Sequence, residues 1–515
     1  MRQPRYAGRM IDRPSVRHGL AAALAVALSP PLAGADWRAK VAPDVLEAAA
    51  GGAAVDVLLV ARGKPALYLI DARLPKTARG AAVVAHLRAT GAVERAGMLD
   101  ALAARGVSAR ELWIANAVSA RLDVALLAEV ATRPEVLRIE SDRAFRAGLP
   151  RTEAFQPAAP KAVEPNIVRV RAPEAWALGV RGQGVVVGAQ DTGYRWDHLA
   201  VRAGYRGWNG SSASHDYHWF DGVRSEINAG VNPCGVAISV PCDDDNHGTH
   251  TLGTVLGDDG GANQVGVAPG ARWIGCRNMD SGDGRPSTYL ACFQFFLAPT
   301  TVDGANPDSS RAPDIITNSW GCPASEQCTL ESFDAALAAV RAAGIVNVVA
   351  AGNGSSGTCS GIAVPPATSP DVFTVGSTTN SDVLSFFSLI GPVTVDGSNR
   401  LKPDLVAPGS SVRSALANGG YGSMSGTSMA TPNVAGVAAL VISANSALRG
   451  DVDAVERILR ETALPMSPPG LDCGVFPATA YPNHIHGWGR VDALAAVQRA
   501  LAEASMFRDG FEAAP

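Results

Sequence analysis

The chain has 515 residues, 47% hydrophobic and 18% charged, with a formal net charge of −4 at pH 7. That length exceeds one ordinary core, so two or three folded units are expected, and the composition excludes a disordered chain. Residues 1–35 carry five Arg and one Asp, which leaves the remainder near −8 and provides no basic footprint for nucleic acid.

Taken in chain order, residues 1–35 have the pattern of a signal peptide. Arg2, Arg5, Arg9, Arg13 and Arg17 form a basic start, Leu20–Leu28 is an apolar run, and "PPLAGA" is a small-residue cleavage site ending at Ala35. Nine apolar residues are too few to span a bilayer, so export is expected and no membrane span.

Residues 36–145 read as a small α+β domain. "AAVDVLLVAR" is strand-like, and "AAVVAHLRATGAVERAGMLDALAARG" has helical spacing. "LDVALLAEVATRPEV" is a second helix stopped before Pro134, and "VLRIES" is a closing strand. From Phe145 to Pro165, Pro, Ala and scattered polar residues mark an exposed linker.

Beyond the linker, strands and helices alternate. Gly184–Gln190, "PDIITNSWG", Ile345–Ala351 and "DVFTVGS" read as buried strands, and "ESFDAALAAVRAAG" is a helix stopped by Gly344. The pattern predicts an α/β fold, a parallel sheet with helices on both faces. In such sheets functional groups gather at the carboxyl ends of the strands.

Asp191 stands at one strand end, His247 where a Gly- and Thr-rich turn enters a helix, and Ser428 at the start of an apolar helix. Singly, these are a turn former, a packing residue and a helix cap. Together they are the parts of nucleophilic acyl transfer, because a serine hydroxyl is weak until an imidazole takes its proton and a carboxylate orients that imidazole. Asn353, at a further strand end, offers an amide to a developing oxyanion. Gly426, Thr427 and Ala430 keep space for a substrate carbonyl.

The eight cysteines all follow residue 233, and no CxxC zinc pattern occurs. Spacing pairs Cys234 with Cys242 and Cys322 with Cys328. Cys276–Cys292 is then plausible, and Cys359–Cys473 follows by elimination. Disulfides agree with an exported protein.

These motifs resemble those of the subtilisin-like serine proteases, the subtilases. The matching stretches are "DTGY" at Asp191, "HGTHTLGT" at His247, "AAGN" at Asn353 and "GTSMATP" at Ser428, in the order Asp…His…Ser. "GVAPGA", "KPDLVAPG" and "GWGRVDA" add to the match, and the run around His247 resembles the bacillopeptidase F-like branch. The resemblance implies a serine endopeptidase over residues 165–500 and a propeptide over 36–145, an intramolecular inhibitor. It further implies a maturation region in the linker 146–164, and it leaves 501–515 as a tail. It gives Asp191, His247 and Ser428 the triad roles and Asn353 the oxyanion hole. Ser319, Trp320 and Gly321, with Ala350, Ala351 and Gly352, would bind substrate backbone and line the specificity pocket. The substrates implied are extended or unfolded polypeptides, and a monomer is expected.

Three departures from the pattern matter. Val364 stands near a glycine usual at the pocket base, which predicts a pocket too small for aromatic side chains. Ala200 and Gly260 stand near positions that commonly ligate a structural calcium, which weakens the case for that ion but leaves it open, since Asp258 and Asp259 could coordinate one; no cofactor is expected for the chemistry. Asn433 replaces a usual histidine and is expected to pack, and His484–His486 reads as loop. A lipase or esterase is disfavoured by the lack of G-x-S-x-G, a metalloprotease by the lack of H-E-x-x-H, and a non-catalytic relative by the intact triad.

Overall fold

The computed structural model describes residues 36–146, 148–153, 163–227, 232–322, 330–466, 470–474 and 479–512. The expected signal peptide and Cys328 lie outside the described residues, as does part of the linker.

The N-terminal unit is a four-stranded antiparallel sheet with three helices packed on one face and a fourth contributing Val83 and Leu87 to the core on the other. Its strands are β1 (Val55–Ala61), β2 (Ala109–Leu112), β3 (Ala117–Leu122) and β4 (Val136–Ser141), in the order β2-β3-β1-β4. Its helices are α1 (Pro43–Ala50), α2 (Lys76–Ala89), α3 (Ala92–Ala103) and α4 (Val124–Thr132). The helical stretch expected across residues 81–106 is thus two helices. Gly91 separates them at φ 67°, and a Cβ there would sit 2.1 Å from Asn116 Oδ1, so the chain must turn and only glycine fits. Asp123 caps α4 as its side chain accepts the Leu126 N–H at 2.8 Å.

β1 explains its own composition. Side chains alternate along a strand, and here both faces are covered. Val57 and Leu59 pack in the unit's own core with Met98, Leu102 and Leu127, while Leu58 and Val60 join a second core. That second core also holds Trp113 from this unit and Phe220, Tyr289, Phe293 and Phe333 from the larger one. Burial on both sides is why "VDVLLVA" is a near-continuous apolar run.

After β5 (Phe145–Arg146) come short helices α5 (Pro165–Arg169) and α6 (Ala172–Ala177), and then the larger sheet. Its strands are β6 (Val186–Asp191), β7 (Trp219–Asp221), β8 (Arg272–Arg277), β11 (Ile315–Asn318), β12 (Val346–Ala350), β13 (Phe373–Thr378) and β14 (Leu405–Pro408). All seven run parallel in the order β14-β13-β12-β11-β6-β8-β7. The short strand β10 (Asp283–Gly284) pairs with β5 on one side and with β9 (Met279–Asp280) on the other, and β15 (Val412–Ala415) pairs with β16 (Tyr421–Met424) in a hairpin.

The helices of this unit are α7 (Leu199–Arg202), α8 (His247–Leu256), α9 (Pro286–Leu297), α10 (Leu330–Ala342), α11 (Thr427–Ala444), α12 (Val452–Glu461) and α13 (Ala493–Glu512). α11 is buried from Thr427 to Ile442, which accounts for its apolar residues on every face. Among the described residues it alone is long and apolar enough to cross a membrane, and 89% of it is buried inside the fold. α13 runs on through residues 501–512, so the segment read as a tail continues a helix.

The disulfides Cys234–Cys242, Cys276–Cys292 and Cys359–Cys473 are present with Cα separations of 5.9, 5.6 and 5.4 Å. Cys276–Cys292 ties β8 to α9. The linker departs from expectation at its start. Phe145, half-buried, and Arg146, exposed, form a short strand opposite Gly284 and Asp283.

Candidate active site

Strand ends and helix starts converge at the carboxyl edge of the larger sheet. β6 ends on Asp191, α8 begins on His247, and Ser428 is the second residue of α11. His247 Nδ1 donates to Asp191 Oδ1 at 2.7 Å, which leaves the Nε2 lone pair available as a base. Nε2 is buried and has no hydrogen-bond partner. Asp191 also accepts the Thr192 N–H at 2.8 Å and the Thr251 hydroxyl at 3.4 Å. Burial alone would lower the pKa of His247, but the charge and hydrogen bond of Asp191, with Asp245 and Asp243 beyond, hold it above the ordinary histidine value.

Asp243 ties the two loops together. Its carboxylate accepts Thr192 Oγ1 at 2.8 Å, the N–H groups of Asp245 and Asn246 at 3.1 Å, and both the N–H and hydroxyl of Thr249. Thr192 Oγ1 in turn accepts the Gly248 N–H at 3.0 Å. The neighbours of Asp191 and of His247 therefore hang on one carboxylate. His250, one turn further along α8, is structural. Its Nε2 lies 2.9 Å from the Val412 carbonyl and 3.1 Å from that of Gly422, and burial drives its pKa to about 3.

Ser428 does not cap its helix, because Gly426 holds the N-cap position. Its Oγ donates to the carbonyl of Ser319 at 2.9 Å. Asn353 Oδ1 accepts the N–H and hydroxyl of Thr427 at 2.9 and 3.0 Å. Since the N–H of Thr427 can only donate, the other amide atom of Asn353 is the Nδ2 donor, 3.5 Å from where a Cβ on Gly426 would stand.

The expected pocket residues divide. A Cβ on Gly321 would lie 3.9 Å from Val364 Cγ2, so these two residues are neighbours. The Trp320 ring turns inward and stacks on Tyr289 with centroids 4.1 Å apart. Ala350 and Ala351 are buried in the sheet, and Gly352 binds the Thr427 hydroxyl through its N–H at 3.2 Å. Asn433 packs as expected. Its amide donates to the Pro408 and Met429 carbonyls at 3.0 and 2.9 Å and accepts from Asn166 at 3.0 Å. His484 and His486 are buried, and burial lowers both pKa values, that of His486 to about 4.

The chain's own residues 145–146 and 148–153 lie along this edge. β5 pairs with β10, and Leu149 Cδ1 lies 3.6 Å from where a Cβ on Gly282 would stand. A Cβ on Gly426 would meet Pro150 Cγ at 2.5 Å, and the Glu153 N–H donates to the Ser423 carbonyl at 2.8 Å. The Glu153 carboxylate accepts hydrogen bonds from Ser425 and Ser411. Asp283 and Gly284 were not singled out from sequence. Their only signal was a Gly-containing turn before α9.

Asp258 and Asp259 do not offer free oxygens to a hard cation. Asp259 accepts from the Gly261 and Asn263 N–H groups, the Asn263 amide and the Tyr421 hydroxyl, and Asp258 from the Gly260 N–H and Arg181. Among the described residues no group of three or more His, Cys, Asp or Glu is arranged to hold a metal ion.

A parallel sheet carrying an Asp–His pair and a helix-start serine at its strand ends defines the class, a serine-type endopeptidase of the subtilisin kind. The family described as the subtilase family matches residues 182–489, and the chain belongs to it. It is 35% identical to Bacillopeptidase F of Bacillus subtilis over 402 residues, covering 75% of this chain but only 26% of that protein. It is 30% identical to Subtilisin NAT of Bacillus subtilis subsp. natto over 332 residues, 64% of this chain and 71% of that one. Alkaline serine exoprotease A of Vibrio alginolyticus is 34% identical over 207 residues, 40% of this chain and 33% of that protein.

Proposed function

We propose that this chain is the precursor of a secreted serine endopeptidase that cuts extended or unfolded polypeptides through an acyl-enzyme. The observation that carries the reading is the 2.7 Å bond from His247 Nδ1 to Asp191, which leaves Nε2 unprotonated and without any other hydrogen-bond partner. Ser428 Oγ attacks the substrate carbonyl while His247 Nε2 takes its proton. Asp191 holds the imidazole tautomer and stabilises the imidazolium. Asn353 Nδ2 and the Ser428 N–H stabilise the oxyanion, and replacing Asn353 by Ala is expected to lower kcat about 100- to 1,000-fold. His247 then protonates the leaving amine, and water completes the cycle by attacking the ester.

Residues 36–145 serve as propeptide in this reading. Its support is that the following segment pairs with β10 and runs past Gly426, two residues before Ser428, where a substrate would lie. An extended chain added to an exposed edge is bound mainly through its backbone, which tolerates varied sequences. Three disulfides fit an oxidising compartment outside the cytosol.

The test compares wild type with Ser428→Ala for casein hydrolysis and for conversion of precursor to mature mass. Loss of both is expected, with the wild-type mature N-terminus inside residues 146–164. Hydrolysis unchanged in the variant would overturn the mechanism, and a precursor that matures without Ser428 would overturn self-processing.

A further inference from the structure

Helix α11 contains Pro432, four residues after Ser428. In an α-helix the N–H of residue i+4 bonds the carbonyl of residue i, and proline has no N–H. Ser428 therefore lacks the helical partner for its own carbonyl at a buried position, where an unpaired carbonyl is costly. The partner comes from another element. Ser319, the residue after β11, donates its Oγ–H to the Ser428 carbonyl at 2.8 Å, while the Ser428 Oγ–H donates to the Ser319 carbonyl at 2.9 Å. Neighbouring carbonyls of the first turn are served from within α11. Thr431 Oγ1 donates to Thr427 O and Asn433 Nδ2 to Met429 O, each at 2.9 Å.

We propose that Ser319 is a positioning residue for the nucleophile, its hydroxyl standing in for the amide that Pro432 lacks. This rests on the reading of Ser428 as nucleophile. The bond from Ser319 Oγ fixes the main chain of Ser428 against the end of β11, and through it the place from which the Ser428 hydroxyl leaves the Ser319 carbonyl to reach His247 Nε2. The side chain of Ser319 acts on the enzyme. Its backbone, which borders the substrate site, is untouched by a change to alanine.

The experiment uses the matured full chain as wild type, Ser319→Ala, Pro432→Ala and the double variant. It measures kcat and KM on a peptide amide, with active sites counted by the acyl-enzyme burst on an activated ester, where deacylation is the slow step. Loss of one neutral hydrogen bond from the positioned state is expected to lower kcat about tenfold in Ser319→Ala, with KM within about twofold of wild type. Alanine at 432 restores an N–H to the Ser428 carbonyl, so Ser319→Ala made in the Pro432→Ala background is expected to cost less than about threefold.

Equal losses from Ser319→Ala in both backgrounds would overturn the proposal. So would a raised KM with kcat unchanged, which would make Ser319 a substrate contact. Should Ser319→Ala fail to accumulate, recovery of folded, active protein in the double variant is the expected result and its absence overturns the idea. A wild-type enzyme with no acyl-enzyme burst would instead remove the nucleophile reading beneath it.

Discussion

Asp142, just beyond the last strand of the N-terminal unit, accepts the backbone N–H of Ser287 at 2.8 Å in the first turn of α9. The free N–H groups of a helix start attract a carboxylate, so this bond is one fastening between the two units. Burial nevertheless pushes the Asp142 pKa up to about 6, against the Ser287 hydrogen bonds and the charge of Arg285. An undocked Asp titrates near about 4, so the docked form binds the proton more tightly. This contribution to docking is full below about pH 4, fades as the pH rises through about 6, and is constant above that. Two pKa units correspond to at most roughly 3 kcal/mol. Thermal unfolding of Ser428→Ala precursor between pH 4.5 and 8 is expected to show a loss of stability that Asp142→Asn flattens. Parallel pH curves for the two proteins would assign the titration to another group.

The Asp191–His247 pair makes a second prediction. Asparagine at 191 keeps the shape but presents an amide that can donate to Nδ1, which leaves the wrong imidazole tautomer facing Ser428. A drop in kcat of about 10,000-fold is expected. The carboxylate also raises the His247 pKa, so its removal shifts the residual acid limb of kcat/KM to lower pH. A residual limb left in place would mean that Asp191 does not set the protonation of His247.

The residues of the site were legible because each lies in a short motif whose chemistry is local. Asp191, His247 and Ser428 fall at element ends that any parallel sheet of this order brings to one edge. What sequence concealed depends on contacts between distant segments. "VDVLLVA" reads as a strand, yet the cover over Leu58 and Val60 comes partly from Phe220 and Tyr289 of the other unit. Residues 81–106 keep helical spacing through Gly91, and only the side chain of Asn116 against that glycine shows why the helix breaks. Phe145 and Arg146 have linker-like neighbours in sequence, but backbone pairing to β10 is independent of side-chain type and leaves no compositional trace. The clasp of Ser319 with Ser428 likewise joins residues 109 apart in the chain.

Val364 is the basis for a prediction on specificity. Its Cγ2 approaches Gly321, and a glycine in its place would leave a deeper space. Each methylene a pocket can admit or refuse changes discrimination by about 10- to 200-fold. Val364→Gly is therefore expected to raise kcat/KM for peptides with Phe or Tyr before the cut by at least about tenfold relative to Ala. Peptide-library profiling reads this directly. A wild-type enzyme that already favours Phe or Tyr there would contradict the assignment of Val364 to the pocket.

The disulfides differ in the loop each one closes, and that sets the last prediction. Cys359–Cys473 spans 114 residues and Cys234–Cys242 spans 8. Restricting the unfolded chain is worth roughly 5 kcal/mol for the long loop and roughly 2.5 kcal/mol for the short one in the chain-entropy treatment. The long bridge also anchors the segment six residues after Asn353 to a small core containing Ile390 and Ile485. Replacing Cys359 and Cys473 by Ser is thus expected to lower the melting temperature more than the same change at Cys234 and Cys242. Activity should order the other way, because the short bridge closes the loop directly before Asp243, whose carboxylate holds the neighbours of both Asp191 and His247. Differential scanning calorimetry and kcat on the two double variants separate these effects. A short-bridge variant with wild-type kcat would show that Asp243 keeps its place without the bridge.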